Sequence, residues 1–339
     1  MPGRSPPTRS PEAARPPPVR LRRLRRTASL RDWVAETEVE PRRLIYPVFV
    51  GPGRGAPEPI PSMPGIERHP VGAVDRLGRE LDREGIRSVL LFGSARRKDA
   101  GGSDAWAPDG LVPEAVRALK RAAPGIVVVT DVCLCAYTSH GHCGVLRDGA
   151  VDNDPSAERL GRVAVAHARA GADVVAPSAM MDGQVLRIRE ALDRAGYGAT
   201  AILAYASKHA SALYGPFRRA EGSTPSSGDR RGYQMDWRNA REAIREMEVD
   251  AAEGADLLMV KPALTSLDLL ARARRRFRQP LAAYQVSGEY AMLKAAASAG
   301  VVEERPAVEE TLGAIRRAGA DLIVTYFARD VARWARGGP

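Results

Sequence analysis

Gly254-Ala-Asp-Leu-Leu-Met-Val-Lys-Pro262 is a helix stop, a strand and a lysine at the strand's end within nine residues. Glycine supplies the left-handed residue that closes a preceding helical pattern, read over 238–252, and the aliphatic run after the aspartate reads as a buried strand. The same order recurs at Gly171-Ala-Asp-Val-Val-Ala-Pro177 and at Gly319-Ala-Asp-Leu-Ile-Val324. A repeated Gly-Ala-Asp-aliphatic entry into successive strands is what repeated βα units look like.

Outward from these stretches the alternation continues. Aliphatic or β-branched runs at 44–50, 88–92, 126–132, 173–177, 201–205, 257–260, 281–286 and 322–327 make eight strands. Helical periodicity fills 74–84, 113–121, 157–170, 184–195, 238–252, 267–276 and 307–318. Eight such units predict an α/β fold, a (β/α)8 TIM barrel occupying 44–339, preceded by an extended N-terminal arm. An open doubly wound sheet is the alternative, but no Gly-x-Gly-x-x-Gly turn follows any strand.

The 339 residues carry a net charge of +10, yet the first 30 hold eight arginines and one glutamate, so seven of those charges lie in the tail. Residues 1–43 therefore read as a disordered basic leader, to about Val19, and an oligomerisation arm over 21–40. Leu21, Leu24, Leu30, Trp33 and Val34 give that arm an apolar face suited to a neighbouring subunit. No aromatic residue interleaves the arginines before Trp33, so nucleic-acid binding is not expected. No apolar run approaches the roughly 18 residues that a membrane span needs, and the leader lacks an apolar h-region. A cytoplasmic protein is the expectation.

In a barrel the chemistry belongs at the carboxyl ends of the strands. All three cysteines, Cys133, Cys135 and Cys143, fall in one stretch after the third strand, with His140 and His142 between them. Three thiolates are a soft set suited to Zn²⁺, with an open fourth position if the site is catalytic; a closed Cys₃His structural zinc is the alternative. Only five of the 51 basic residues are lysine: Lys98, Lys120, Lys208, Lys261 and Lys294. Arginine cannot serve as an amine nucleophile, so lysines at the ends of buried strands, Lys208 and Lys261, are candidates for Schiff-base chemistry. Asp131, Ser178, Ser287 and Tyr326 reach the same mouth from other strand ends. The Gly/Ser-rich stretch 218–235 reads as a long unstructured lid bearing arginines.

The strings Asp131-Val-Cys-Leu-Cys, Tyr137-Thr-Ser-His-Gly-His-Cys-Gly144, Ala176-Pro-Ser-Ala-Met-Met-Asp-Gly183, Tyr214-Gly-Pro-Phe-Arg218, Gly228-Asp-Arg-Arg-Gly-Tyr-Gln234, Met259-Val-Lys-Pro262 and Tyr284-Gln-Val-Ser-Gly-Glu-Tyr290 resemble the porphobilinogen synthase (5-aminolevulinate dehydratase) family, in its zinc-type bacterial form. The resemblance spans about 20–333. It implies a lyase of haem biosynthesis that condenses two 5-aminolevulinate molecules to porphobilinogen with loss of two waters, on a barrel assembled as a homo-octamer through N-terminal arms. By motif position it implies Lys261 as the Schiff-base residue and Lys208 as the lysine engaging the second carbonyl. Cys133, Cys135 and Cys143 would hold a catalytic Zn²⁺. Ser287 and Tyr326 would bind one carboxylate, Arg218, Arg230 and Gln234 the other, and Asp131, Ser178 and Tyr214 would orient the reacting groups. Glu246 falls where some bacterial relatives bind an activating Mg²⁺; a solvated acidic face is the alternative. Gly232 stands where some relatives have a cysteine, which argues against a second zinc on His142, and His209 replaces a phenylalanine. A class I aldolase, or a zinc-dependent interaction protein with a nucleic-acid-binding arm, are the rival classes.

Overall fold

The computed structural model describes residues 19–338, so the basic leader lies, but for Val19, outside the described residues. The chain divides into one unit that ends at Glu38 and a second that begins at Val39. Within the first, a 3₁₀ turn at Leu21–Arg25 precedes a helix at Ala28–Trp33. The Thr27 hydroxyl caps that helix, accepting from the Leu30 N–H at 3.2 Å, and so satisfies one of its free N-terminal donors. Trp33 is 79% and Leu21 70% exposed.

The second unit is a closed barrel. Its strands are β1 (Leu44–Gly51), β2 (Ser88–Gly93), β3 (Val127–Val132), β4 (Val174–Pro177), β5 (Ala201–Lys208), β6 (Leu257–Lys261), β7 (Leu281–Tyr284) and β8 (Leu322–Val324). Each pairs in parallel with the next, and β8 returns to β1 with Leu44 opposite Ile323. The outer helices are α1 (Val74–Arg83), α2 (Leu111–Ala122), α3 (Asn153–Ala170), α4 (Gln184–Arg194), α5 (Ala240–Ala252), α6 (Leu267–Arg276), α7 (Glu304–Ala318) and α8 (Ala328–Trp334). Their inner faces bury Leu77, Leu119, Leu160, Ile188, Leu270 and Leu312.

The recurrent Gly-Ala-Asp is a joint with three working parts. Gly171, Gly254 and Gly319 adopt φ of 102°, 105° and 124°, the left-handed region that a side chain opposes. Ala172, Ala255 and Ala320 are buried. Each aspartate then reaches back to the neighbouring strand: Asp173 accepts from the Val128 N–H at 2.7 Å, Asp256 from Ile202 at 2.8 Å and Asp321 from Leu281 at 2.8 Å. The start of every second strand from β4 onward is thereby tied to the strand before it, satisfying N–H groups at the barrel's floor.

Several local readings need correction. The stretch after Phe217 is not irregular from its start, because Gly215–Glu221 is a helix that places Arg218 in a fixed turn. Strand β5 runs three residues past 205, while β8 stops at Val324. The helix Ser287–Ser298 and the hairpin Val145–Arg147 with Ala150–Asp152 carry weak periodicity and escape a pattern reading.

Candidate active site

The carboxyl ends of β5 and β6 form the centre of the mouth. Leu257 pairs with Leu203 and Leu258 with Ala204, but the register then slips, so that Val260 pairs with Ser207 and Lys261 with Lys208. Two steps along β6 match three along β5, the signature of a bulge. The consequence is specific. Tyr205 and Lys208 are three residues apart and in a regular strand would face opposite ways. Here both lysine amines lie over the Tyr205 ring, Lys208 Nζ at 5.6 Å and Lys261 Nζ at 5.0 Å from its centroid. The bulge turns Lys208 to the inside, beside Lys261.

Lys261 Nζ also sits 4.2 Å from the Tyr284 ring centre, 5.1 Å from Tyr214 and 5.3 Å from Phe217. Burial in this aromatic cage, reinforced by the neighbouring Lys208, lowers its pKa to about 7. Lys208 Nζ donates to the Ser178 carbonyl. Asp131, on β3, faces both lysines; burial raises its pKa, against the pull of Lys208, and its Oδ1 has no hydrogen-bond partner. The other lysines are engaged elsewhere: Lys98 with the Gly222 carbonyl, Lys120 with Asp173 and Lys294 with Glu304.

Cys133, Cys135 and Cys143 are buried, with their sulfurs all within 4.8 Å of one another. The Cys133 and Cys135 sulfurs are 3.4 Å apart and are free thiols, a separation far too long for a covalent S–S bond. Crowded together, the thiols compete for ionisation: hydrogen bonding to Cys135 and Cys143 holds Cys133 well above the usual thiol value, and hydrogen bonding from Cys133 and Cys135 holds Cys143 below it. A divalent cation would relieve that conflict, and a soft, buried three-sulfur set fits one. The histidines are turned elsewhere. His142 Nδ1 meets the Tyr233 hydroxyl at 3.1 Å and Nε2 the Ser227 carbonyl at 3.0 Å, while His140 Nδ1 accepts from the His142 N–H.

The segment 222–239 is fastened over the cysteine loop. Arg230 Nη2 donates to the Gly141 carbonyl at 3.0 Å and to the Ser223 carbonyl at 2.5 Å, and the Ser226 N–H donates to the His140 carbonyl at 3.0 Å. Arg218, Arg230 and Gln234 together line a cavity of about 650 Å³, with His209 on its wall. Gln234 is buried with both amide atoms unpartnered, and Arg218 Nε and His209 Nε2 also lack partners. The Ser287 hydroxyl accepts from the Phe217 N–H and donates to the Leu213 carbonyl. The hydroxyls of Tyr326 and Tyr284 lie 3.1 Å apart, and Tyr214 donates to the Lys261 carbonyl.

Glu246 stands apart, on α5, in a separate cavity of about 400 Å³ shared with Asp182 and Glu242. Burial, then those neighbours, raises its pKa. Among the described residues only the three cysteines form a group of three or more ligating side chains close enough to share one ion. Tyr205, Tyr284 and Phe217 escape a sequence reading because nothing local says that they surround an amine.

The sequence model of the family described as delta-aminolevulinic acid dehydratase matches residues 18–334. The delta-aminolevulinic acid dehydratase of Synechococcus elongatus is 50% identical over 94% of this chain and 99% of its own. That of Escherichia coli is 52% identical over 92% and 96%. The crystal structure of the Toxoplasma gondii delta-aminolevulinic acid dehydratase (porphobilinogen synthase), in complex with the reaction product porphobilinogen, superposes with a TM-score of 0.91 at 47% identity, covering 94% of this chain and 92% of that one.

Proposed function

The chain belongs to the delta-aminolevulinic acid dehydratase (porphobilinogen synthase) family of lyases, and on that premise we propose that it joins two 5-aminolevulinate molecules through a Schiff base on Lys261. The observation that carries the mechanism is the side-by-side pairing of Lys208 and Lys261 in a buried aromatic cage. With a pKa of about 7, Lys261 has a large fraction of free amine at neutral pH. The amine adds to one ketone, and that oxygen leaves as the first water. The resulting iminium withdraws electrons and acidifies the adjacent carbon. Asp131, which faces both lysines, can take up the proton released there. The enamine carbon then bonds to the second molecule's carbonyl carbon, polarised by Lys208, and that oxygen leaves as the second water. Attack of an amino group on the Lys261-bound carbon closes the ring and frees the lysine.

Arg218, Arg230 and Gln234 would hold one carboxylate, using the unpartnered atoms of the cavity they line. Ser287 and Tyr326 would hold the other by exchanging an internal hydrogen bond, while Ser178 and Tyr214 keep the two lysines oriented. Cys133, Cys135 and Cys143 would bind Zn²⁺, which as a Lewis acid would polarise a substrate oxygen or nitrogen. A cytoplasmic location and a homo-octamer belong to this proposal, and the exposed apolar residues of the arm support the assembly. An activating Mg²⁺ at Glu246 would take its other ligands from water or a neighbouring subunit.

Borohydride reduction in the presence of 5-aminolevulinate tests the reading. The adduct should be found on Lys261, should vanish in Lys261→Arg and should persist in Lys208→Arg. An adduct on Lys98, Lys120 or Lys294 would refute it.

A further inference from the structure

The helix Gly215–Glu221 carries Arg218, and it is anchored at both ends by quite different means. At its start the Phe217 N–H donates to the Ser287 hydroxyl at 3.0 Å. At its close the chain leaves through Gly222, left-handed at φ 57°. The last carbonyls of a helix are its negative pole, where cations are favoured. Two cations reach them from separate loops. Arg68, on the short strand Glu67–Pro70 beside β1, donates through Nη2 to the Ala220 carbonyl, and Lys98, from the loop after β2, donates through Nζ to the Gly222 carbonyl at 2.6 Å.

Both cations also favour the charged form of the buried Glu221, the last residue of the helix, from beyond salt-bridge distance. Lys98 forms no salt bridge among the described residues, and the carboxylate nearest Arg68 is the exposed Glu58, at 3.6 Å. The route of Arg68 is also reserved for it: a Cβ on Gly51, the last residue of β1, would lie 2.8 Å from Arg68 Cδ. One residue beyond the clasp, Ser223 passes the constraint on. Its N–H donates to the Arg218 carbonyl at 3.0 Å and its carbonyl accepts from Arg230. The Gly222 carbonyl held by Lys98 thus adjoins the residue that contacts both arginines of the cavity, and the Ala220 carbonyl held by Arg68 lies two residues earlier in the same helix end.

We propose that Arg68 and Lys98 are positioning residues that clasp the C-terminal end of the helix Gly215–Glu221 and so hold Arg218 and Arg230 in place for a substrate carboxylate. The proposal rests on the reading that these two arginines bind that carboxylate. Neither Arg68 nor Lys98 touches the reacting atoms, so the clasp acts on affinity and on the order of the segment 222–235.

Steady-state kinetics with 5-aminolevulinate and limited trypsin digestion separate the outcomes. A hydrogen bond made by a charged donor sets a scale of about tenfold. Lys98→Met and Arg68→Met should each raise KM by about that factor with kcat within about twofold. Trypsin should cut faster after Arg230 or Arg231 in both variants, while the melting temperature stays unchanged, and Lys98→Arg should restore KM. Unchanged KM with unchanged cleavage would overturn the clasp. So would a parallel loss of melting temperature and kcat that Lys98→Arg does not rescue, which would mark a merely structural contact. Arg218→Met reports on the underlying reading: if it leaves KM unchanged, the carboxylate assignment fails, and faster cleavage in Lys98→Met would still establish that the clasp orders the segment.

Discussion

Replacing Lys208 with methionine should move the titration of Lys261 toward alkaline pH. The two residues are direct partners across β5 and β6, and Lys208 is the second cause, after burial, of the fall of Lys261 from 10.5 to about 7. Partners on adjacent strands stand about 5 Å apart, and two unit charges at that distance repel by about 3 kcal/mol at an effective dielectric of about 20, or about two pKa units. Burial remains in the variant, so the expected rise is about one to two units, and not a return to the value of a free lysine. Turnover cannot report this, because Lys208 is itself assigned a part in the chemistry. The assay is the initial rate of borohydride trapping of 5-aminolevulinate on Lys261, followed by mass spectrometry against pH. Only the neutral amine attacks, so the wild-type rate should fall as pH drops through about 7, and the Lys208→Met curve should fall at a pH about one to two units higher. Asp131→Asn should move the curve the other way, because that carboxylate favours the charged form. A Lys208→Met curve that coincides with wild type, or shifts toward acid, would refute the electrostatic pairing of the two lysines.

Removing metal with a chelator should abolish turnover and leave the circular dichroism spectrum of the barrel intact, and Cys143→Ala should bind less than one equivalent of zinc by elemental analysis; full activity after chelation would rule out a catalytic ion. Deleting residues 1–19 should leave the assembly size unchanged in ultracentrifugation, whereas deleting 1–36 should yield smaller, less active species. His167, on α3, is fully buried with neither ring nitrogen partnered, and burial lowers its pKa to about 3. The unfolded chain takes up a proton there near pH 6.5 that the folded chain refuses until about 3. Stability is therefore lost as pH falls between those values, by on the order of 5 kcal/mol at the acid end. His167→Leu should flatten that loss in urea unfolding measured at pH 7 and pH 4; an equal loss in both proteins would show that His167 is not its source.

The barrel was legible because its signals are local. Gly171, Gly254 and Gly319 mark helix ends through a backbone conformation only glycine enters freely, and the strands that follow are aliphatic because both faces are buried. The cysteine triad was legible because its members are close in sequence. The reading of 218–235 as a lid missed the helix Gly215–Glu221, whose seven residues are too few to show a period.

The order of βα units, the mouth at which their polar ends gather and the residue types available there are thus written locally along the chain. Which of those residues meet depends on the folded barrel. Side chains alternate along a strand with period two, and by that rule Tyr205 and Lys208 face apart. One extra residue in β5 reverses the rule, and its position depends on how β5 and β6 pair. The amine of Lys261 is buried among the rings of Tyr205, Tyr214, Phe217 and Tyr284, drawn from separate segments of the chain, and that burial brings its pKa to about 7. Arg68 and Lys98 reach Ala220 and Gly222 across 152 and 124 residues in turn. Burial, charge and contact are properties of a folded neighbourhood, and no local pattern encodes the neighbours.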